Sequence, residues 1–279
     1  GQVTVYAYTQ NSLSDEHEAV SGQTIKLYRQ LEDGSYAFLA NANSTIVMQS
    51  SDNGYLYLVV EPTSSYYVDP DYTVKLIRDF GAEWMYFDID GEGKNEHVFK
   101  VRLTTRNTKA TVGQTPIVNL YVGFMAYDSG LSIDAPSTKS VGTGTQDFQG
   151  TYYLSFSAVE KAVKISKIEL VLNDTSLWDN IEIVDLKVGG CEGGAKTLQI
   201  IDEDKSSGIW KMFDVRYDES QALVFKYTDD KSDKFAYFTL HIRTYFASAD
   251  AFKITLKLTI LKSDGTTTTV TGAWEISVS

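Results

Sequence analysis

Apolar and polar residues alternate with a period of two along almost the whole chain. Segments such as VTVYAYT, YLYLVVE, AYFTLHIRTYF and FKITLKLTIL place Val, Ile, Leu, Tyr or Phe at every second position. Successive side chains of a β-strand point to opposite faces of a sheet, so this pattern predicts half-buried strands. Gly, Asp, Asn and Ser separate the segments at intervals typical of β-sandwiches. The sequence therefore predicts an all-β protein.

A few segments depart from plain alternation. The clearest hairpin is predicted around Asp264-Gly265, a dipeptide typical of tight turns between two alternating segments. Only 157–164 (SAVEKAVK) and 218–223 (DESQAL) suggest helical turns. The longest loop is predicted at 134–150, because small polar residues and glycines dominate there.

A domain boundary is predicted in a connector at 79–97. The block 1–78 has the size of a small β-sandwich. The block 98–279 holds roughly ten predicted strands, enough for a larger β-sandwich or a jelly roll. We therefore expect a small β-sandwich domain, an acidic connector and a larger β-sandwich domain.

Three segments of the first block carry a family resemblance. They are GQVTVYAYT at the start, AVSGQTIKLYR at 19–29 and SSDNGYLYLVVEP at 50–62. Together they resemble the transthyretin-like modules of bacterial and archaeal surface proteins, the fold of carboxypeptidase regulatory-like and collagen-adhesin B-type repeats. The resemblance implies that 1–78 is a spacer or assembly module. Some such modules carry a Lys–Asn isopeptide bond; Lys26 and several Asn are candidates, but no diagnostic motif predicts the bond. No comparable resemblance extends over 98–279.

The charge of the chain limits its partners. The 279 residues carry a net charge of −12, with a pI near 4.7. Such a surface repels nucleic acids and anionic membranes unless a basic patch is segregated, and the sequence shows no such patch. No apolar run has the length of a transmembrane helix. We expect self-association, neighbouring surface proteins or glycans as partners, without nucleic acid and without membrane insertion by this chain.

Several features favour an extracellular, cell-surface or virion location. The sequence starts with a predicted strand and without Met, which suggests a mature chain whose leader was removed. The one cysteine, Cys191, excludes an intrachain disulfide framework. This is compatible with a reducing compartment and with a secreted protein whose cores are large. The sequons at Asn43 and Asn173 permit N-glycosylation.

The stretch FDIDGEGKNE crowds acidic side chains on alternate residues. Calcium takes six to eight oxygen ligands, and short calcium loops supply them from alternate positions of a tight turn. Asp88, Asp90 and Glu92 occupy positions one, three and five of such a loop. Lys94 would offer its backbone carbonyl at position seven, and Glu96 stands at position nine. This spacing predicts a calcium site.

The competing interpretation is a hairpin turn with solvated carboxylates. Asp-Gly and Glu-Gly pairs are ordinary turn sequences. Gly93 matches the glycine of a calcium loop at position six, but position twelve is Phe99 and not the Glu of an EF-hand. Both interpretations stay open. Two further acidic stretches, 202–208 and 229–233, are typical of solvated loops.

No catalytic motif is present. The sequence lacks a nucleophile elbow, a P-loop, a dinucleotide fingerprint and a zinc motif. His17, His97 and His241 are scattered, and Cys191 lies in GGCEGG without an identifiable base. The 37 acidic residues leave a jelly-roll glycosidase as a weaker alternative, because carboxylate pairs cannot be located in space from sequence. We therefore predict that the protein is not an enzyme.

Aromatic residues offer a candidate glycan contact. Trp84, Trp178, Trp210 and Trp274 could form sugar-stacking platforms on a jelly roll, although core packing is the commoner fate of strand aromatics. Trp178 is the best exception, because it lies in the loop-like sequence TSLWDN beside acids and amides. Trp178 is therefore the predicted sugar contact.

The first predicted strand is a candidate for assembly. Val3, Val5 and Tyr6 alternate along it and would join the sheet of another subunit by strand addition. We expect a non-enzymatic structural subunit of an extracellular assembly, such as a surface layer, a filament or a virion coat or spike, with calcium stabilising it. The alternative is a secreted carbohydrate-binding protein with a jelly-roll domain.

Overall fold

The computed structural model confirms the all-β prediction. Its strands and short helices form two compact units, unit 1 (Gly1–Ala126) and unit 2 (Tyr127–Ser279). The residues that the structure describes are 1–10, 24–60, 66–69, 74–217 and 222–279. Among them, no helix combines the length and the apolar character that crossing a membrane requires.

Unit 1 is a two-sheet sandwich. Its elements are β1 (Gln2–Gln10), β2 (Ile25–Gln30), β3 (Tyr36–Asn41), β4 (Ser44–Val47), a 3-10 turn (Ser50–Asp52), β5 (Tyr55–Val60), β6 (Tyr66–Val68), α1 (Val74–Phe80), β7 (Glu83–Phe87), β8 (Glu96–Arg102), α2 (Thr105–Thr108) and β9 (Ile117–Ala126). Sheet A has the order β4-β1-β9-β6, and sheet B has the order β3-β2-β5-β8-β7. The two sheets share one apolar core, which includes Val5, Leu27, Leu58, Phe99 and Leu120.

Strand β1 lies inside sheet A and has a neighbour on both sides. Gln2 to Val5 pair antiparallel with β4. From Thr4 to Gln10 the strand pairs in parallel with β9, in a register of seven residue pairs that begins at Thr4 and Ile117. The first and the last strand of unit 1 are therefore hydrogen-bonded side by side and run in the same direction.

The outer face of sheet B carries a second, smaller apolar cluster. Tyr28, Tyr57 and Val98 are buried there, with Tyr36 and Phe87 packed around them. The rings of Tyr36 and Tyr57 meet edge to face at a centroid distance of 5.1 Å. The cluster also includes Ile89 from the turn between β7 and β8. Consequently the acidic turn is attached to the sheet by an apolar anchor.

Unit 2 is a larger sandwich. Its elements are β10 (Leu131–Asp134), β11 (Lys139–Val141), β12 (Gly144–Phe156), β13 (Lys161–Val171), a 3-10 turn (Thr175–Asn180), β14 (Ile181–Gly189), β15 (Lys196–Thr197), β16 (Ile200–Asp204), a 3-10 turn (Lys205–Ser207), β17 (Ile209–Phe213), β18 (Val224–Tyr227), β19 (Tyr237–Phe246), β20 (Asp250–Leu261) and β21 (Thr267–Val278). Sheet C has the order β10-β12-β19-β14-β15. Sheet D has the order β11-β21-β20-β13-β17-β16, and β18 also pairs with β13.

The core of unit 2 lies between sheets C and D. It includes Tyr152, Leu240, Leu256 and Trp274, all buried. The predicted hairpin is confirmed as β20 and β21, in a register of twelve residue pairs. Its turn is closed by the Gly265 amide, which donates to the Lys262 carbonyl at 3.0 Å.

Unit 2 also pairs an early strand with its last strand. Strand β11 runs parallel to β21 through three residue pairs, from Lys139 with Ile276 to Val141 with Val278. The Ser279 amide extends the ladder by donating to the Val141 carbonyl at 3.0 Å. Both units therefore contain a parallel pair formed by strands near their two ends.

The structure corrects the predicted domain boundary. The division falls between Ala126 and Tyr127 and not within 79–97. Strands β7 and β8 complete sheet B, and β9 pairs with β1, so the small sandwich of 1–78 is not closed without the residues that follow it. The predicted connector is part of a sheet.

Two local predictions also change, and a third falls largely outside the described residues. The segment 134–150, predicted as the longest loop, contains β11 and the start of β12. The segment 157–164 is not a helical turn, because residues 157–160 form a bend and residues 161–164 begin β13. Of 218–223, residues 218–221 lie outside the described residues, as does His17.

Candidate functional site

The acidic turn between β7 and β8 gathers three carboxylates. One carboxylate oxygen each from Asp88, Asp90 and Glu96 lies within 4.8 Å of the other two. A single ion with oxygen ligands at about 2.4 Å contacts oxygens that are up to about 4.8 Å apart. The turn therefore presents three hard oxygen ligands at a spacing that suits calcium.

Backbone amides hold the first of these carboxylates in place. Asp88 Oδ1 accepts from the amides of Gly91 at 2.9 Å and Glu92 at 3.1 Å, and Oδ2 accepts from the Gly93 amide at 2.7 Å. The positive φ angles of Gly91 and Gly93 (77° and 86°) let the backbone turn its amides inward. The hydrogen bond from Gly93 is the main cause that lowers the pKa of Asp88. Asp88 is thus held as a carboxylate.

Glu96 is the buried member of the cluster. It is only 4% exposed, and its Oε2 accepts from the Ile89 amide at 3.0 Å. Desolvation, followed by the charges of Asp90 and Asp88, raises the pKa of Glu96. Crowded carboxylates repel one another, and a bound cation would offset that repulsion.

One carboxylate of the predicted ligand set, that of Glu92, is not brought into the cluster. Glu92 is exposed, and it takes part only through its amide, which donates to Asp88 and to Asp90 Oδ1. The backbone carbonyl of Lys94 as a calcium ligand stays a prediction. The three remaining carboxylates still fit calcium, because this ion prefers oxygen ligands such as carboxylates. Calcium takes six to eight oxygen ligands in total, and water molecules can supply those that the protein does not.

Trp178, the predicted sugar contact, is anchored within unit 2, and the sugar contact itself stays a prediction. It lies in the 3-10 turn that precedes β14, half-buried against the core of unit 2. Its Nε1 donates to the Leu172 carbonyl at 2.9 Å, and the Lys205 Nζ lies 5.6 Å from the ring centroid. The indole N–H is therefore already engaged within the chain.

The described histidines and the cysteine sit in constrained surroundings. His97 packs against Tyr86 with ring centroids 4.6 Å apart, and burial lowers its pKa to about 4. His241 contacts the Asp147 carboxylate, which also accepts from Arg243 at 2.8 Å.

Cys191 is buried, and its Sγ donates to the Gly194 carbonyl at 3.1 Å. Burial raises the pKa of this thiol to about 11, so the reactive thiolate is scarce at neutral pH.

The predicted assembly residues have an intramolecular role. Val3 and Val5 are buried in the core between sheets A and B, and Tyr6 is half-buried. Because β1 pairs with both β4 and β9, its backbone is used within unit 1. Addition of this strand to another subunit would require unit 1 to open.

Comparison with known proteins gives only distant similarities. No protein-family model and no curated protein matches the sequence. The major pilin subunit BcpA of Bacillus cereus is 14% identical, with 100% of this chain and 69% of that chain covered and a TM-score of 0.34. The full-length major pilin SpaD from Corynebacterium diphtheriae is 10% identical, with 99% and 66% covered and a TM-score of 0.31.

A third solved structure has a similarly low sequence identity and TM-score. The C-terminal domain of the Streptococcus agalactiae AgI/II polypeptide BspA is 10% identical, with 80% of this chain and 93% of that chain covered and a TM-score of 0.29. Identities and TM-scores this low do not establish a shared fold or function. The transthyretin-like resemblance of 1–78 therefore stays a prediction, and the function must be inferred from the geometry of the chain itself.

Proposed function

We propose that this chain is a non-enzymatic structural subunit of an extracellular assembly and that each unit resists tension along the chain. Its partners are other copies of the chain or neighbouring surface proteins. The observation that carries the proposal is the parallel pairing of an early strand with the last strand in both units. The test is the force at which each unit opens when the chain is pulled from its ends.

Parallel pairing determines how a load reaches the hydrogen bonds. Force that enters at the start of one strand and leaves at the end of its parallel neighbour slides the two strands past each other, so all their hydrogen bonds share the load. An antiparallel hairpin pulled at its open end loses its bonds one after another. In unit 1 the load enters at β1 and leaves at β9, directly before Tyr127. The whole parallel ladder must then fail together.

The two ladders differ in length. The β1–β9 ladder has seven residue pairs, whereas the β11–β21 ladder has three and the additional Ser279 hydrogen bond. Forced unfolding is governed by the barrier to unfolding and not by equilibrium stability. Unit 1 is therefore expected to resist more force than unit 2.

Single-molecule pulling from the two ends of the chain tests this expectation. We expect two unfolding events, with unit 2 opening at the lower force and unit 1 at the higher force. The two units are told apart by the length of chain that each releases. Equal forces for both units, or a stronger unit 2, would contradict the role proposed for the longer ladder.

A change of pulling direction provides the control. Handles at Gly1 and Met48, in a Cys191→Ser background, load the antiparallel β1–β4 pair from one end, since Gln2 pairs with Val47. Unit 1 is then expected to open at a clearly lower force than in the end-to-end experiment. The end-to-end experiment is carried out in the same Cys191→Ser background, so the difference in force reports the loading geometry.

We also propose that calcium stabilises unit 1 at the acidic turn. The ion would contact Asp88, Asp90 and Glu96, with water completing its coordination. Because Glu96 is the first residue of β8 and accepts from the Ile89 amide, the ion would fix the turn to sheet B. The divalent ion would offset two of the three negative charges and so reduce the repulsion among the carboxylates.

Calcium is expected to raise the melting temperature of unit 1, and a chelator is expected to reverse the effect. A ligand present at about one hundred times its dissociation constant adds about 2.7 kcal/mol to the free energy of unfolding. Glu96→Gln keeps an acceptor for the Ile89 amide but removes one negative charge. This variant should melt at a higher temperature than the parent without calcium and should lose the calcium response.

Glu92→Gln is the matched control for the calcium experiment. It makes the same chemical change in the same turn, but outside the three-carboxylate cluster. It should therefore keep the calcium response of the parent. If millimolar calcium shifts neither the parent nor this variant, the turn is an ordinary hairpin with solvated carboxylates.

A further inference from the structure

Unit 2 contains a groove lined by aromatic and acidic residues. Its volume is about 300 Å³, and it lies between the end of β12, the end of β18 and the turn that precedes β19. The side chains that define it are Asp134, Tyr153, Phe156, Tyr227, Asp233 and Phe235. A cavity of this size stands at the lower end of the range for small-molecule sites.

Three rings form one wall of the groove. Phe156 lies 5.4 Å from Tyr227 and 5.3 Å from Phe235, measured between ring centroids, with interplanar angles of 24° and 27°. Tyr227 and Phe235 lie 5.9 Å apart and only 7° from parallel. The three rings thus form a platform of offset-stacked rings, in which each ring covers part of its neighbour and each remains partly exposed to solvent. A further ring, Tyr153, extends the aromatic lining.

Unused polar groups surround this platform. The carboxylates of Asp134 and Asp233 are exposed, and within the described part of the chain neither they nor the hydroxyls of Tyr153 and Tyr227 take part in a hydrogen bond. Two lysines balance this negative charge and lie over rings of the groove: Lys234 Nζ is 5.1 Å from the Tyr153 centroid, and Lys231 Nζ is 5.8 Å from the Phe235 centroid. The edge of the groove therefore offers hydrogen-bond acceptors and donors and carries little net charge.

We infer that this groove binds a neutral saccharide whose ring presents an apolar face. A pyranose with equatorial substituents exposes only C–H bonds on its faces and carries its hydroxyls around the edge. Its face suits a platform such as Phe156, Tyr227 and Phe235, because aromatic faces pack against apolar groups. Its edge hydroxyls suit the carboxylates of Asp134 and Asp233, since hydrogen bonds to charged acceptors are the strong ones.

The inference is independent of the tension-bearing role. It places the sugar contact in a different part of unit 2 from Trp178, whose N–H is engaged by Leu172. It also requires no neighbouring copy of the chain, because every lining residue belongs to unit 2. A groove that binds no sugar would therefore leave the results of the pulling experiments unchanged. Likewise, pulling results that contradict the tension-bearing role would not affect sugar binding.

Titration of the whole isotopically labelled chain with cellotriose tests the inference by NMR. Cellotriose is neutral and consists of β-linked rings with equatorial substituents. We expect saturable shift changes at the amides of residues 153–156 and 232–235. Asp233→Asn is nearly isosteric and exposed, and it should weaken binding about tenfold, because one hydrogen bond to a charged acceptor becomes a neutral one. Tyr153→Ala should weaken binding at least as much.

Two control variants carry the same chemical changes outside the groove. Asp250→Asn replaces an exposed aspartate on sheet D, and Tyr245→Ala removes an exposed tyrosine on sheet C. Both should bind cellotriose as the parent does. The inference is overturned if cellotriose causes no saturable shifts, if the shifts centre on Trp178, or if Asp233→Asn and Tyr153→Ala bind as tightly as the controls.

Discussion

Val5→Asp is expected to unfold unit 1 while unit 2 keeps its native structure. Val5 is 0% exposed and lies in β1, between β4 and β9. Burial of an unpaired carboxylate costs several kcal/mol, and a domain is stable by only about 5–15 kcal/mol in total. Heteronuclear NMR would show the loss of dispersed signals from unit 1 only. Deletion of residues 1–8 should have the same result, because it removes a central strand.

Gln2→Asp is the control for this prediction. It adds the same charge to the same strand, but Gln2 is exposed. It should change the free energy of unfolding by no more than about 0.5 kcal/mol. A Val5→Asp variant that stays folded but no longer polymerises would instead favour the original expectation that β1 serves other subunits. Collapse of both units would show that unit 2 depends on unit 1.

Trp274→Ala is expected to cost unit 2 about 3–5 kcal/mol, the range for removing a large aromatic from a core. Trp274 is 1% exposed, and its Nε1 donates to the Ser137 carbonyl at 3.1 Å. The ring meets Phe148 edge to face at 5.7 Å. It also fills the space above Gly150, where a Cβ would lie 2.8 Å from Cζ2. Urea unfolding followed by the signals of unit 2 measures the loss.

Trp178→Ala provides the comparison within the same unit. Trp178 is half-buried and contributes less apolar area to the core than Trp274. Its removal should therefore cost clearly less than that of Trp274. Equal losses for the two variants would mean that the 3-10 turn before β14 is as important to unit 2 as the centre of its core.

Local structure was predictable from the sequence, because alternation is a local property. The strands around Val5 and Leu58 and the hairpin at Asp264-Gly265 all follow from neighbouring residues. The pairing of strands was not predictable in the same way. Thr4 pairs with Ile117, which is 113 positions later, and nothing in either segment specifies the other. The misplaced domain boundary follows directly from this, since β9 completes a sheet that begins with β1.

The candidate sites likewise divide into one that local sequence predicts and one that depends on strand pairing. The spacing of the acidic turn identified Asp88, Asp90 and Glu96, because all three belong to one short hairpin. It also included Glu92, whose side chain stays outside because the backbone turns its amide toward Asp88. The aromatic groove was missed because distant segments supply it, as Tyr153 and Phe235 illustrate. Sequence spacing reveals a site within one loop but not a site assembled from several strands.

The buried cysteine between β14 and β15 has a practical consequence. Because Cys191 is the one thiol in the chain and its burial suppresses the thiolate, alkylating reagents can reach it only when this part of the molecule transiently opens. The rate of alkylation at neutral pH therefore measures how often the structure near the end of sheet C opens locally. This rate can be measured without an added label, under load, in denaturant or within an assembly.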